Sequence, residues 1–267
     1  MLDIAIIGAG PAGLSAAINA YARGRSAVVF GRGRSTSFIY KAERIDNVLG
    51  LPGLSGSEMI DKFYSHAESL GVEIKEGRVM QIMPMGDHFA INFENEIESA
   101  KAIILATGIV KGDTIEGEEE FLGKGVSYCA TCDGMLYRGK NVAIVGDSHE
   151  AEADAEFLSK IAAKVHVVKS KPIRVMGGDF VSGLETKEGH IACDGVFFDK
   201  ETLPFDSLLA GLELTDNGTV LVDRLQQTSI PGVFAAGDCT GWPYQLPKAV
   251  GEGLVAAQQA DRYIRSL

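Results

Sequence analysis

The sequence predicts an α/β protein built from two Rossmann-like strand–turn–helix units, and three observations carry that prediction. An apolar run, Leu2 to Ile7, leads into Gly8-Ala9-Gly10-Pro11-Ala12-Gly13 and then an alanine-rich stretch. A second strand–turn–helix–strand pattern spans Asn141 to Val168. Near the C-terminus a third apolar run, beginning at Val233, ends in Gly237-Asp238 ahead of a final helix.

The first run reads as a buried parallel strand because it is continuously apolar. The glycines that follow it form a GxGxxG. The first glycine permits a tight turn, the second lets backbone approach a pyrophosphate, and the third packs helix on strand. The helix, Leu14 to Ala22, supplies amides and a dipole at its N-terminus. In this setting the motif predicts a dinucleotide site. The next strand is Ser26 to Phe30. A carboxylate for the ribose is expected near its end, but Gly31-Arg32-Gly33-Arg34 stands there. Two readings stay open: arginines holding a 2′-phosphate, as for NADP, or FAD with its ribose held differently.

Asp46 to Gly53 is a loop by its Asn, Gly and Pro content. Ser57 to Leu70 reads as a helix, with Met59, Ile60, Phe63, Ala67 and Leu70 at helical spacing. Strands follow at 72–74, 78–82, 88–93 and 101–106, the last ending in Thr107-Gly108, which suits close approach to a cofactor. Residues 111–120 form a polar, acidic connector and a domain boundary. In the second unit the strand Asn141 to Val145 leads into Gly146-Asp147-Ser148-His149-Glu150-Ala151. Ser148 replaces the second glycine, and Asp147, Glu150 and Glu152 put negative charge where a pyrophosphate would sit. This unit therefore reads as structural rather than nucleotide-binding. A helix, 150–163, and a strand, 164–168, complete it. Residues 169–194 read as irregular, 196–198 and 220–223 as short strands, and 228–231 as a turn. The last helix is expected to open near Gly251 and run from Gly253 to Ile264. Trp242 reads as packing, with stacking near a flavin ring as its functional alternative.

The chain has 267 residues, of which 46% are hydrophobic and 23% charged, as in ordinary globular proteins. A net charge of −11 argues against a nucleic-acid binder. No apolar run is long enough to cross a membrane. The N-terminus has neither a basic lead nor a cleavage site, which predicts a cytoplasmic protein. Charge is uneven. Arg23, Arg25, Arg32, Arg34, Lys41 and Arg44 face one acid, Glu43, across 23–44, while 113–160 carries eleven acids against four bases. The basic stretch reads as a solvated face or as a docking site for an acidic partner or a phosphate.

The chemistry centres on Cys129-Ala130-Thr131-Cys132-Asp133. Two thiols at this spacing can close a disulfide, attack a partner's disulfide and resolve the mixed intermediate. If Cys132 opens a helix, amide dipoles lower its pKa. Asp133 is a candidate acid for the leaving thiolate. A zinc site needs four ligands. Cys193 and Cys239 stand alone and no histidine falls in a ligand pattern, so redox chemistry is favoured and no metal is expected. Cys193 reads as a small core residue.

These features resemble the low-molecular-weight thioredoxin reductases. The resemblance covers nearly the whole chain. It is carried by Gly8–Gly13, Ile45-Asp46-Asn47 with Pro52-Gly53, Ala106-Thr107-Gly108, Gly125 to Gly134 and Thr228 to Asp238. It implies two Rossmann-like domains of the three-layer ββα type. A discontinuous FAD domain (1–112 and 236–267) would flank a shortened domain bearing CxxC (113–235). It implies FAD held by Gly8, Gly10, Pro11, Ala12, Gly13, Asn47, Val79, Thr107, Gly108, Gly237, Asp238, Gln245 and Leu246. It further implies a catalytic Cys129, Cys132 and Asp133, with Cys132 nearer the flavin and Cys129 attacking the substrate, a homodimer, and thioredoxin as acceptor. The chain departs from the family at the second glycine turn, in Lys169-Ser-Lys-Pro172 where 2′-phosphate arginines are usual, and by a deletion before Val196. Those departures resemble the pyridine-nucleotide-independent branch, in which ferredoxin is the electron donor. The run 36–45 also lacks the Gly-Gly-Gln-rich segment usual beside the flavin. The rival functions are a dithiol oxidase, a diflavin-linked disulfide oxidoreductase and a non-catalytic flavin-binding module.

Overall fold

A computed structural model describes the chain except Asn95, residues 109–114, Cys129 and residues 200–203, and without the side chains of Phe38, Lys41, Cys132 and Glu150. The elements run β1 (Leu2–Ile7), α1 (Pro11–Tyr21), β2 (Ala27–Gly31), α2 (Gly56–Ser69), β3 (Glu73–Glu76), β4 (Val79–Pro84), β5 (Phe89–Phe93) and β6 (Glu96–Leu105). They continue through β7 (Val126–Ser127), α3 (Ala130–Asp133), β8 (Asn141–Val145), α4 (His149–Ser159), β9 (Lys164–Val168), β10 (Arg174–Gly177), β11 (Val181–Thr186), β12 (Gly189–Ala192) and β13 (Gly195–Phe198). Last come α5 (Phe205–Leu208), β14 (Val233–Ala235) and α6 (Leu246–Ser266).

The chain is α/β, with parallel sheets as the sequence predicts, and forms two compact units, Met1–Val110 with Pro204–Leu267, and Lys111–Leu203. In the first unit the sheet order is β3-β2-β1-β6-β5-β4, with β14 also paired to β6. One edge of β6 pairs parallel with β1, and the other serves two ladders in turn. Its first half pairs antiparallel with β5, and Ile103–Leu105 pair parallel with β14. The parallel strands β3, β2, β1, β6 and β14 therefore share one C-terminal edge, where a Rossmann-like sheet binds its ligand.

α1 and α6 cover one face of this sheet through small side chains, including Ala16, Ala17, Ala20, Ala256, Ala257 and Ala260, all buried. Their contact is close. A Cβ at Gly253 would lie 2.2 Å from the Ala12 carbonyl oxygen. This explains a correction. The last helix begins at Leu246, not near Gly251, because Pro247 is compatible with a first turn. Gly253 sits within the helix as the point of contact with α1.

Residues 204–235, assigned to the second domain from sequence, pack with the first unit. The Val220 amide donates to the Cys239 carbonyl and the Ala235 amide to that of Gln226. Residues 220–223 form no strand; an isolated bridge joins Val220 to Leu214.

The second unit holds a parallel sheet, β7-β13-β8-β9, and an antiparallel one, β10-β11-β12. The antiparallel sheet corrects the reading of 169–194 as irregular. Gly183 looks like a strand breaker, but the His190 ring crosses it. A Cβ there would meet Nε2 at 2.2 Å.

Candidate active site

Most of the residues expected at the dinucleotide gather on the C-terminal edge of the first unit's sheet. The Gly8 amide donates to the Phe30 carbonyl at 2.7 Å. A Cβ on Gly8 would lie 2.1 Å from the Ala106 carbonyl oxygen and 3.0 Å from the Thr107 nitrogen, so the turn after β1 lies flat against the end of β6. Gly8 also has φ +118°, which favours glycine. A Cβ on Gly13 would lie 1.8 Å from the Gly8 oxygen. Gly237, after β14, meets Ala12 at 2.8 Å by the same measure.

Gly10 differs from both. Nothing lies within 4 Å of the place a Cβ would take. Gly10 is also the N-cap of α1, and no side chain caps that end. The first-turn amides of a helix have no intrahelical partners. Here Pro11, which has no amide, is preset for the first turn, and no side chain caps the amides that follow it. Beside them the Thr107 hydroxyl is buried and has no hydrogen-bond partner. An open turn, uncapped amides and an orphaned hydroxyl fit an anionic, hydrogen-bonding ligand.

Long-range contacts close the rim. Asn47 Nδ2 donates to Gln245 Oε1 at 2.7 Å, joining the 46–53 loop to the start of α6. Lys248 Nζ donates to the carbonyls of Gly237 (2.9 Å) and Gly241 (2.8 Å) and to Thr240 Oγ1 (3.0 Å). Glu252 accepts from the Gly237 amide (2.8 Å) and Thr240 Oγ1 (3.0 Å), and pairs with Lys248 at 3.2 Å. These two side chains hold the turn that presents Asp238. Sequence reading missed them, although their i,i+4 spacing on one helix face was available. Burial raises the Asp238 pKa, the Lys248 ammonium opposes the rise and Glu252 adds to it. Gly108 follows Thr107 with φ +75°, and Leu246 opens α6. Val79 is buried at the start of β4. Trp242 is 82% exposed, so it is not the packing residue expected.

Three of the six bases in the basic stretch are paired with carboxylates. Arg25 binds Asp261 at 2.6 Å, Arg44 binds Asp46 at 2.8 Å, and Arg34 binds Glu68 at 2.6 Å and Asp61 at 3.3 Å. It is not an array of unengaged cations.

In the second unit, Cys129 lies outside the described residues, as does the Cys132 side chain. α3 begins at Ala130, so Cys132 is its third residue rather than its opening one. Ala130 is buried in a cluster with Tyr137, Ile144, Ala151, Leu158 and Phe197. A Cβ at Gly134 would lie 3.1 Å from both Leu158 and Phe157 of α4, so the turn after the CxxC is seated on that helix. Ser127 Oγ donates to Asp133 Oδ2 at 2.7 Å, which fixes the candidate acid from the preceding strand. The Tyr128 hydroxyl donates to Glu118 Oε1 at 2.8 Å, and the Ile115 amide to Oε2 at 3.1 Å. Glu118 is buried. It reads in the sequence as part of an acidic connector, and only the fold reveals it as an anchor for the strand entering the CxxC. Burial and this carboxylate raise the Tyr128 pKa far above the usual phenol range. Away from this turn, burial pushes the Cys193 and Cys239 thiols up to about 12, so both stay protonated and unreactive.

The second glycine turn is closed. Ser148 is the N-cap of α4, and its Oγ accepts from the Ala151 amide at 3.1 Å. The same hydroxyl donates to Asp199 Oδ2 at 2.5 Å. Asp199 also crowds Gly146, where a Cβ would meet its Cβ at 2.7 Å. Lys169 lies 3.4 Å from both Asp147 and Glu152.

A family model for pyridine nucleotide-disulphide oxidoreductases matches residues 2–178 and 173–253. The thioredoxin reductase of Aquifex aeolicus (strain VF5) is 32% identical over 300 residues, covering 98% of this chain and 93% of that protein. A solved ferredoxin-flavin thioredoxin reductase from Clostridium acetobutylicum is 43% identical, with a TM-score of 0.90 over 99% of this chain and 98% of that one. A second such structure from the same organism gives 41% and 0.93, over 100% and 99%. The chain belongs to the pyridine nucleotide-disulphide oxidoreductase family, whose two-domain Rossmann-like fold it has. Within that class it is a thioredoxin reductase-like disulfide reductase, which implies a flavin cofactor. Among the described residues no helix is long and apolar enough to cross a membrane.

Proposed function

We propose that this protein is a ferredoxin-dependent, FAD-containing disulfide reductase that reduces thioredoxin through Cys129 and Cys132. The observation that carries the choice of donor is the closed turn at Ser148. A pyridine dinucleotide would need those α4 amides for its pyrophosphate. Ser148 occupies one of them, and Asp199 and Asp147 bring negative charge to the same place. Similarity to the Clostridium acetobutylicum structures supports the same donor.

The first turn fits FAD. Gly8, Gly10, Pro11, Ala12 and Gly13 would offer backbone to the pyrophosphate. Thr107, Gly108, Gly237, Asp238, Asn47, Val79, Gln245 and Leu246 would line the remainder. FAD held there would supply the chemistry that joins a one-electron donor to a two-electron disulfide reduction.

The protein's own thiols carry the exchange. The Cys129 thiolate attacks one sulfur of the thioredoxin disulfide, and a mixed disulfide forms as the other thioredoxin sulfur leaves. Asp133, held by Ser127, takes the proton given up as the Cys129 thiolate forms and returns it to the leaving thioredoxin thiolate. Cys132 then attacks Cys129, re-forming the internal disulfide and releasing reduced thioredoxin. Two electrons and two protons restore the dithiol for each turnover. As in the family it resembles, the chain is proposed to act as a cytoplasmic homodimer. A thioredoxin-reduction assay tests this. Reduced ferredoxin should sustain turnover and NADPH should not, and Cys129→Ser or Cys132→Ser should abolish it. Sustained turnover in either variant would refute the dithiol assignment.

A further inference from the structure

A dinucleotide fold of this type ordinarily places a carboxylate at the end of its second strand, where it accepts from the adenosine ribose hydroxyls. β2 ends instead in Gly31-Arg32-Gly33-Arg34. Gly33 has φ +93°, a conformation that disfavours an acidic side chain at that position. We propose that Glu76, at the end of β3, supplies the missing carboxylate to the adenosine ribose. The inference rests on the reading of the first turn as an FAD site.

The register places Glu76 there. Gly31 and Glu76 are partners in the parallel β2–β3 ladder, and the Gly77 amide donates to the Gly31 carbonyl at 2.9 Å. The Glu76 carboxylate reaches across to β2. A Cβ on Gly33 would lie 3.5 Å from its Oε1 and 3.7 Å from its Oε2. The carboxylate therefore lies beside the position from which a side chain at the end of β2 would act. Glu76 is exposed, and no hydrogen bond or ion pair among the described residues engages its carboxylate. It is a neighbour of the sheet edge with its acceptors unspent.

The same geometry bears on the choice between NADP and FAD that the motif leaves open. The Arg34 guanidinium is held by Glu68 and Asp61 and lies over the Tyr64 ring, 4.6 Å from its centroid. It is committed to α2 rather than offered to a 2′-phosphate. A carboxylate at this edge repels a phosphate and accepts from a free 2′-hydroxyl. Glu76 thus selects a ligand with an unmodified adenosine ribose.

The test uses the full chain stripped of flavin, as wild type and as Glu76→Ala. FAD, an FAD analogue carrying 2′-deoxyadenosine, and FMN are titrated calorimetrically. Wild type should bind FAD more tightly than the deoxy analogue. Glu76→Ala should lose about 10- to 100-fold in FAD affinity, the scale of a hydrogen bond to a charged group, and no longer distinguish the two. FMN, which lacks the adenosine, should bind both proteins alike. Unchanged FAD affinity in Glu76→Ala, or an equal loss for all three ligands, would overturn the proposal while leaving the FAD site standing. Failure of wild type to take up FAD would overturn both.

Discussion

The two glycine turns of this chain follow the same strand–turn–helix plan and end in opposite states. After β1, the N-cap of α1 is Gly10, uncapped by any side chain and facing open space. After β8, the N-cap of α4 is Ser148, whose hydroxyl takes the Ala151 amide and bonds Asp199. A helix N-terminus is an anion site only while its amides and its approach are free. In the second unit one serine and one distant aspartate close the turn on itself. The strand–turn–helix plan is retained in both units, and only the first leaves its turn uncapped by a side chain.

The comparison breaks most sharply within the first turn itself. Gly13→Ala forces a Cβ to 1.8 Å from the Gly8 carbonyl oxygen, a backbone atom that cannot yield cheaply. Thermal unfolding should show a loss of about 3 kcal/mol or more, the upper end for overpacking. Gly10→Ala meets nothing within 4 Å, and its φ of −82° is ordinary. Its melting should stay within about 0.5 kcal/mol of wild type. Its flavin affinity should nonetheless fall by about tenfold or more, because the new methyl stands where backbone would approach the pyrophosphate. Equal effects of the two variants on stability would contradict the assignment of Gly10 to ligand rather than packing.

The second turn offers the converse. Ser148→Ala removes a helix cap and should cost about 1 kcal/mol in denaturant unfolding. It should not restore NADPH binding, since Asp147 and Asp199 remain. NADPH uptake by this variant, seen by calorimetry, would show that the serine alone closes the site.

A smaller effect tests the buried thiols, one in each unit. Cys193 and Cys239 have pKa values pushed up to about 12, against about 8.5 when unfolded. The unfolded chain then binds fewer protons than the native one between those values. Stability contributed by the neutral thiols is complete below pH 8.5 and declines as pH rises toward 12. Cys239→Ala should flatten that alkaline decline in a melting series, and an unchanged slope would assign it to other groups.

Much of the first unit was legible because its signals are local. The GxGxxG, the strand ending in Thr107-Gly108 and the strand ending in Gly237-Asp238 each announce a turn at a strand's C-terminal edge. The damage at Ser148 was legible as a lost glycine. That its hydroxyl is a cap bridged to Asp199 was not, because the partner comes from the end of β13. Glu118 and Glu76 escaped for the same reason. One reads as an acid in a connector and the other as a charge at a strand end. Burial against Tyr128 and the parallel register with Gly31 give them their meaning. The hairpins at 174–192 were hidden because Pro172 and Gly177-Gly178 read as irregular chain, whereas Gly177 closes β10 and Gly178 lies in the short bend before β11. The start of α6 was hidden because Gly251 and Gly253 suggest a boundary, whereas both lie inside the helix and Gly253 is small because it packs on Ala12 of α1.

The most direct measurement is the flavin absorbance of the purified protein under anaerobic conditions, with NADPH in one cuvette and reduced ferredoxin in another. An open first turn and a closed second one predict bleaching with ferredoxin alone, followed by reduction of added thioredoxin. Bleaching by NADPH would mean that the turn capped by Ser148 still receives a pyridine nucleotide, and would contradict the account.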